Sequence, residues 1–386
     1  MYRSGSTLQY NIVRLLVENS KTGQAEGFFQ LSEAVQENVN FSRWAEDLAI
    51  HVVKMHEIYP ESERLVNAGR AKICYIYRDI RDVAVSLKLK RGLTFKETLG
   101  ELRTAISEYN EVMKIPRVLV QKYETVMFDL TEAVKEMAGF LGVRVDPEVC
   151  GKIAVECSVE RAESAASDLR RKLALDLTDK TTREIDEILS PKLDKTTLIH
   201  PNHISRNMGA SGVWETQLST SEKQAIMSNF SEWLVENKYL GKLVDAGKGY
   251  DELTSYVAGK SKFIDPVIGC VSVETPKDQW AYGAVLALNP VMREAAEYLI
   301  IVEVFAMRGT LGIGLLNKAE DGFLYRIKLK ASEEVHKVYI PVFDPKTAGR
   351  LVADNWDAEH SSEGLILSIR LYAMQEVQNY VPISAT

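Results

Sequence analysis

The chain changes its hydrophobic period part-way along, and that change limits its fold more than any other feature. In the first part, short apolar runs alternate with stretches of helical spacing. Ala49-Ile50-His51-Val52-Val53, Ile73-Cys74-Tyr75-Ile76-Tyr77 and Val118-Leu119-Val120 are short enough for buried strands. Leu8, Ile12, Leu15 and Leu16 recur at helical spacing over 7–20, and a second helical stretch is expected through the thirties and forties. Further helices are expected over Asp82–Leu87, Thr131–Leu141 and 219–238, and 145–195 reads as helical and charged throughout. Buried strands alternating with helices predict an α/β architecture with a parallel sheet flanked by helices.

Beyond a polar stretch holding Gly241, Gly247, Gly249 and Gly259 the period becomes two. Phe323, Tyr325, Ile327 and Leu329 alternate with Leu324, Arg326, Lys328 and Lys330. Leu365, Leu367, Ile369 and Leu371 alternate with Ile366, Ser368, Arg370 and Tyr372. Strands of this kind, separated by Gly, Asn and Asp, predict an all-β antiparallel sandwich. The expected organisation is a first domain over 1–245, a linker over 246–262 and a sandwich over 263–386.

A chain of 386 residues has room for two such domains. Its formal net charge of −7 excludes a general nucleic-acid binder, which needs a basic excess, but leaves room for a local basic pocket. No run approaches the ~20 apolar residues of a membrane span. The N-terminus also lacks the basic, apolar and small-residue order of a signal peptide, so a cytoplasmic location is expected. Cys74, Cys150, Cys157 and Cys270 show no paired spacing and read as reduced thiols.

Three stretches of the first part carry candidate chemistry. Arg3-Ser4-Gly5-Ser6-Thr7 precedes the first helix, where successive backbone N–H groups form an anion site and glycine permits close approach. The Walker A pattern is absent. Taken alone, such a run is more often a plain turn. Lys54 and His56 lie two apart at a strand end, a permanent cation beside a group that accepts a proton near neutral pH. An isolated pair of this kind is more often a surface lysine beside a half-buried histidine. Arg78 ends a strand and Ser86 lies eight residues on, placing a guanidinium and a hydroxyl where they can share one anion. The plainer reading pairs Arg78 with Asp79 or Asp82. His200 and His203 have no acidic or cysteine partner nearby for a metal site, and their segment reads as a substrate-facing loop.

The order and spacing of these three stretches resemble the sulfotransferase family, bacterial type, which uses 3′-phosphoadenosine 5′-phosphosulfate. "QKYETVMFD", "AGFLGV" and "HISRNMGASGVWETQLS" are similar to later segments of the family, so the resemblance covers about 1–240. It implies a P-loop-like fold in which residues 3–7 hold the 5′-phosphate. Arg78 and Ser86 hold the 3′-phosphate, Tyr123 lies near the adenine, and Arg206 is a further candidate for the 3′-phosphate. In the family a strand precedes the first loop. This sequence opens after the point where that strand would end, and is expected to be N-terminally truncated relative to the family. Leu8 stands where an aromatic often follows the loop, and Arg206 to Gly212 does not reproduce the Arg-Lys-Gly of animal cytosolic members.

The resemblance implies sulfuryl transfer to a hydroxyl or amine, with His56 as general base. Lys54 and Arg3 would stabilise developing charge, and no metal is required. "GTLGIGLLNKAEDGF" and "RLVADNWDAEHSSEGLILSIRLYAM" look like β-sandwich modules of bacterial enzymes that modify surface glycans. On that reading Trp280, Tyr325 and Trp356 offer a sugar-stacking face, and the acceptor is a carbohydrate. A non-catalytic glycan-binding protein with a degraded transferase domain is the competing reading. A nucleotide kinase is disfavoured for want of Walker A and of a magnesium-binding pattern.

Overall fold

The computed structural model describes the chain except residues 30–40, 59, 176, 178–179, 190, 202–208, 241, 252–255, 258–259, 266, 268, 290–296 and 376–386. It divides into two compact units, Met1–Ser219 and Thr220–Thr386.

The first unit is α/β. Its first helix, Ser6–Asn19, starts at Gly5, whose φ of 95° lies in the left-handed region that glycine enters without steric cost. The helix is buried along most of one side, with Ile12, Leu16 and Val17 fully enclosed. Strands β1 (Gly23–Phe28) and β2 (Ile50–Lys54) pair in parallel, as do β3 (Ile73–Tyr77) and β4 (Val118–Lys122). Among the described residues these are two parallel pairs rather than one continuous sheet. The chain's first turn lies between their C-terminal ends: Ser4 Oγ reaches the β3 carbonyl of Ile76 at 2.8 Å, and Lys54 Nζ at the end of β2 reaches Thr7 Oγ1 at 2.7 Å.

The helix Ile80–Arg91 follows β3 directly. Asp79 caps it by accepting from the Arg81 amide, and Gly92 ends it in the left-handed region. A capping box between Thr94 and Glu97 starts the 20-residue helix Phe95–Lys114. Helices Leu130–Leu141, Pro147–Glu156 and Val159–Ala174 complete most of the unit, with Thr182–Leu189 beyond them.

Among the elements not anticipated are β1 and the helix Phe95–Lys114. β1 reads GQAEGF, with no apolar run, and is a strand because β2 pairs with it. A Cβ at Gly23 would lie 1.9 Å from the Ile50 carbonyl oxygen, so the close pairing requires glycine there. The helix Phe95–Lys114 buries only Thr98, Leu102, Ala105 and Val112, a stripe too thin to stand out among its charges.

The second unit opens with the helix Thr220–Glu236, broken at Phe230, whose Ser231 hydroxyl donates to the Tyr339 carbonyl at 3.2 Å. The strands that follow are β5 (Lys242–Lys248), β6 (Tyr256–Val257), β7 (Lys262–Asp265), β8 (Cys270–Glu274), β9 (Tyr282–Ala287) and β10 (Tyr298–Arg308). After them come β11 (Thr310–Asn317), β12 (Phe323–Lys330), β13 (His336–Val342), β14 (Ala348–Asn355) and β15 (Glu363–Gln375). One sheet runs β13-β10-β15-β8-β7 with β5 also on β15, and the other runs β12-β11-β14-β9-β6; every pairing is antiparallel. Val302, Val304, Leu311, Ile313, Ile340 and Leu371 are among the enclosed side chains between them. In the stretch expected as a linker, 246–262, described residues are built into this unit: β5 extends through Lys248 and Tyr250 is 1% exposed in the core.

Bulges alter the expected alternation. Opposite β10, Ser368 pairs with Glu303 and Ile366 with Val304, so Leu367 is skipped and Ile366, Ile369 and Leu371 become the buried set. On β12 the register skips Leu324. Tyr325 and Leu329 enter the core, while Phe323 packs on the opposite face with Val285, Leu316 and Val352.

Candidate active site

The ends of β2 and β3, the first turn and the helix after β3 bring most of the described candidates together. Arg3 Nε donates to Ser86 Oγ at 2.9 Å, linking the first loop to the helix Ile80–Arg91. Lys54 bonds Thr7 as above. Burial, and then the charge of Arg3, bring its ammonium down to about 8. His56 lies just past β2, 4.6 Å from the Tyr2 ring and 5.1 Å from the Phe28 ring, centroid to centroid. Burial lowers its imidazolium to about 4, with Lys54, the chain's amino group and Arg91 adding to the effect. At neutral pH His56 is therefore a neutral imidazole.

Gly5 and Ser4 are structural parts of the loop. A Cβ at Gly5 would stand 2.7 Å from Tyr123 Cδ2, so the loop backbone rests directly on that ring. Ser4 is wholly buried and its hydroxyl is taken up by the carbonyls of Ile76 and Met1. Its hydroxyl therefore holds the turn to β3, whereas the sequence reading had it facing a phosphate. Ser6, the first residue of the helix, is half-buried.

Arg78 is more constrained than its motif suggested. Its guanidinium carbon sits 4.4 Å above the Tyr123 ring, and Nη2 donates to the carbonyls of Gly209 at 3.1 Å and Ala210 at 2.5 Å. Its Nε is buried without a partner. Such a donor is costly unless an acceptor meets it, which suits an anion arriving there. Ser86 is engaged by Arg3, and the two cations lie close enough for Arg78 to depress the Arg3 guanidinium, after burial and Arg91. Tyr123 is 5% exposed, with its hydroxyl donating to the Gly209 carbonyl at 2.9 Å. Arg206 and His203 lie outside the described residues.

Sequence reasoning passed over Lys90 and gave two other neighbours, His200 and Asp82, lesser roles. Lys90, one turn past Ser86, is brought down to about 7 by burial and then by Arg3. The i, i+4 spacing from Ser86 was the available signal. His200, read as part of a loop, feels Lys54, Lys90 and Arg3, and its Nδ1 lies 2.9 Å from the Lys192 carbonyl. Asp82, read as a surface partner of Arg78, has a side chain only 1% exposed. Among the described residues no group of three or more His, Cys, Asp or Glu is placed to hold a metal ion.

The second unit has a cluster on the outer face of its five-stranded sheet. The Arg326 guanidinium lies 4.6 Å from the Trp280 ring, 4.3 Å from Phe323 and 4.7 Å from Trp356, and is ion-paired to the buried Asp354. Trp280 and Trp356 meet edge to face at 4.9 Å. Gly312 floors the cluster, since a Cβ there would fall 1.8 Å from Asp354 Oδ1. Trp280 is 47% and Tyr282 37% exposed. Tyr325, expected on this face, faces the core with Leu329 and Ile327, in step with the period of two along β12.

No curated protein matches the chain. Among solved structures, a mouse sulfotransferase, SULT7A1, complexed with PAP is 16% identical with a TM-score of 0.40, over 62% of this chain and 83% of that one. Retinol dehydratase in complex with androsterone and inactive cofactor PAP is 18% identical with a TM-score of 0.38, over 61% of this chain and 78% of that one. A family 29 carbohydrate-binding module from Piromyces equi is 12% identical with a TM-score of 0.25, over 37% of this chain and 92% of that one. Residues 1–173 match the family model described as "Sulfotransferase domain". It is these residues, within the first unit, that are similar to the sulfotransferases.

Proposed function

We propose that the chain transfers a sulfuryl group from 3′-phosphoadenosine 5′-phosphosulfate to a hydroxyl of a carbohydrate. The observation that carries this is the convergence of Arg3, Lys54 and Arg78 on one face with a neutral His56. The buried, unpartnered Nε of Arg78 fits a phosphate-bearing ligand. Arg3, Lys54, Thr7 and the loop amides would hold the 5′-phosphosulfate. Arg78 and Ser86 would hold the 3′-phosphate, with Tyr123 supporting the site from below.

In the proposed reaction the acceptor oxygen forms a bond to sulfur while the sulfur–oxygen bond to the 5′-phosphate breaks. His56 takes the acceptor proton, and Lys54 and Arg3 offset charge on the departing phosphate oxygen. Positioning and charge neutralisation carry such transfers. The outer face around Trp280 supports a carbohydrate acceptor: an exposed indole above a fixed Arg326–Asp354 pair offers stacking and hydrogen bonding together. All four cysteines are free, which agrees with a reducing, cytoplasmic setting.

The test is calorimetric titration with adenosine 3′,5′-bisphosphate. Arg78→Ala removes charge-assisted bonds of about 1.5–3 kcal/mol and should weaken binding by roughly tenfold or more. His56→Ala should bind the nucleotide normally yet lower sulfation of a responsive glycan about 10²–10⁴-fold. A folded wild-type chain that ignores the bisphosphate would refute the reading.

A further inference from the structure

The segment 209–214 is held across Arg78 by a single buried carboxylate. Asp82 Oδ2 accepts from the Gly212 amide at 2.9 Å and Oδ1 from the Trp214 amide at 3.1 Å, so both oxygens are committed to this segment. Arg78 Nη2 lies 3.5 Å from Oδ2 and donates to the Gly209 and Ala210 carbonyls at the other end of the same segment. A second fastening is separate: the Arg81 guanidinium lies 3.8 Å over the Trp214 ring and is fixed by Asp79, with Nη2 to Oδ2 at 2.7 Å. Gly209 and Gly212 have φ of 74° and 78°, so the segment turns where glycine is required.

The consequence falls on Arg78. Its Nη2 is already spent on the segment's carbonyls while its Nε has no acceptor. Where 209–214 sits therefore decides which edge of the guanidinium is free. Burial, with the charge of Asp79 adding to it, raises the Asp82 carboxyl to about 6, and Arg78 and the two backbone donors offset that only in part.

We propose that Asp82 is a positioning residue for the nucleotide site: by anchoring residues 209–214 it fixes Arg78 so that the Nε edge meets an anionic group of the donor. This rests on the sulfotransferase reading above. Asp82 is not placed in contact with the nucleotide; it acts through the segment and through Arg78.

The test compares the full chain with Asp82→Asn, which keeps the shape but replaces one acceptor oxygen with an amide donor. Amide exchange is followed over 209–218 and across the sandwich, and adenosine 3′,5′-bisphosphate is titrated. Exchange at Gly212 and Trp214 should rise about tenfold and nucleotide affinity should fall by a similar factor, with sandwich protection unchanged; loss of one charge-assisted bond supports changes of that size. A merely structural role would change protection broadly. Trp214→Ala removes the second fastening and leaves the carboxylate and its two backbone donors, so protection at 212 and nucleotide affinity should persist. Loss of both would overturn the inference even if Asp82→Asn does not fold. Unaltered exchange at 212 and 214, or faster exchange with undiminished affinity, overturns the inference. Failure of the wild type to bind overturns the function reading instead.

Discussion

The state of Lys54 makes a quantitative prediction. Burial and the neighbouring Arg3 bring its ammonium from the usual 10.5 to about 8, which corresponds to roughly 3 kcal/mol against the charged form. A bound 5′-phosphate dianion favours the charged form and reverses that penalty. Below about 8 Lys54 is charged in both free and bound chain, so affinity for adenosine 3′,5′-bisphosphate should not depend on its titration. Above about 8 binding must be accompanied by proton uptake, and affinity should fall toward tenfold per pH unit. The second ionisation of a phosphate monoester, near 6, lies below this window. Calorimetric titration from pH 6.5 to 9.5, repeated in two buffers of different ionisation enthalpy, reads both affinity and proton uptake. Lys54→Met should bind more weakly at pH 7 and lose the break near 8. Lys90 begins to lose charge near 7, so Lys90→Met is run in parallel to separate the two groups. A flat profile in the wild type, or a break that survives Lys54→Met, would refute the reasoning.

Two further perturbations address the loop and the sandwich. Gly5→Ala forces a non-glycine residue to φ 95° and drives a methyl to 2.7 Å from Tyr123 Cδ2. It should cost about 1–3 kcal/mol from the backbone alone, seen as a lowered melting temperature with weaker nucleotide binding, and an unchanged melt would count against the placement of this turn. Trp280→Ala removes an exposed ring and should abolish capture on a glycan array while shifting stability by no more than about 1 kcal/mol. Retained capture would move the saccharide site away from the Trp280–Arg326–Trp356 cluster.

How much could be read from the residues alone differs from place to place. β2, β3 and β4 were legible because each is a continuous apolar run, the signature of strands covered on both faces. β1 was not, because Gly23 is selected by the proximity of Ile50 and carries no hydrophobic signal of its own. In the sandwich the period of two was plain, yet the faces were set by bulges, which shift a strand by one residue and reverse its pattern. That is why Ile366 replaced Leu367 in the core and why Phe323 packs on the opposite face from Tyr325 and Leu329.

The candidate site divides in the same way. The sequence by itself determined which chemistry-bearing side chains exist and their order: Arg3 beside Gly5, Lys54 two before His56, Arg78 eight before Ser86. It also determined that an α/β part precedes a β part, because hydrophobic period is a local property of the chain. Only tertiary structure decided that Arg3 rather than Arg78 meets Ser86, that the Ser4 hydroxyl binds β3, and that Asp82 holds a segment 130 residues away in sequence. Burial has the same origin: the low proton affinities of Lys54 and His56 come from surrounding chain that excludes water and crowds cations together, which no spacing along the sequence encodes.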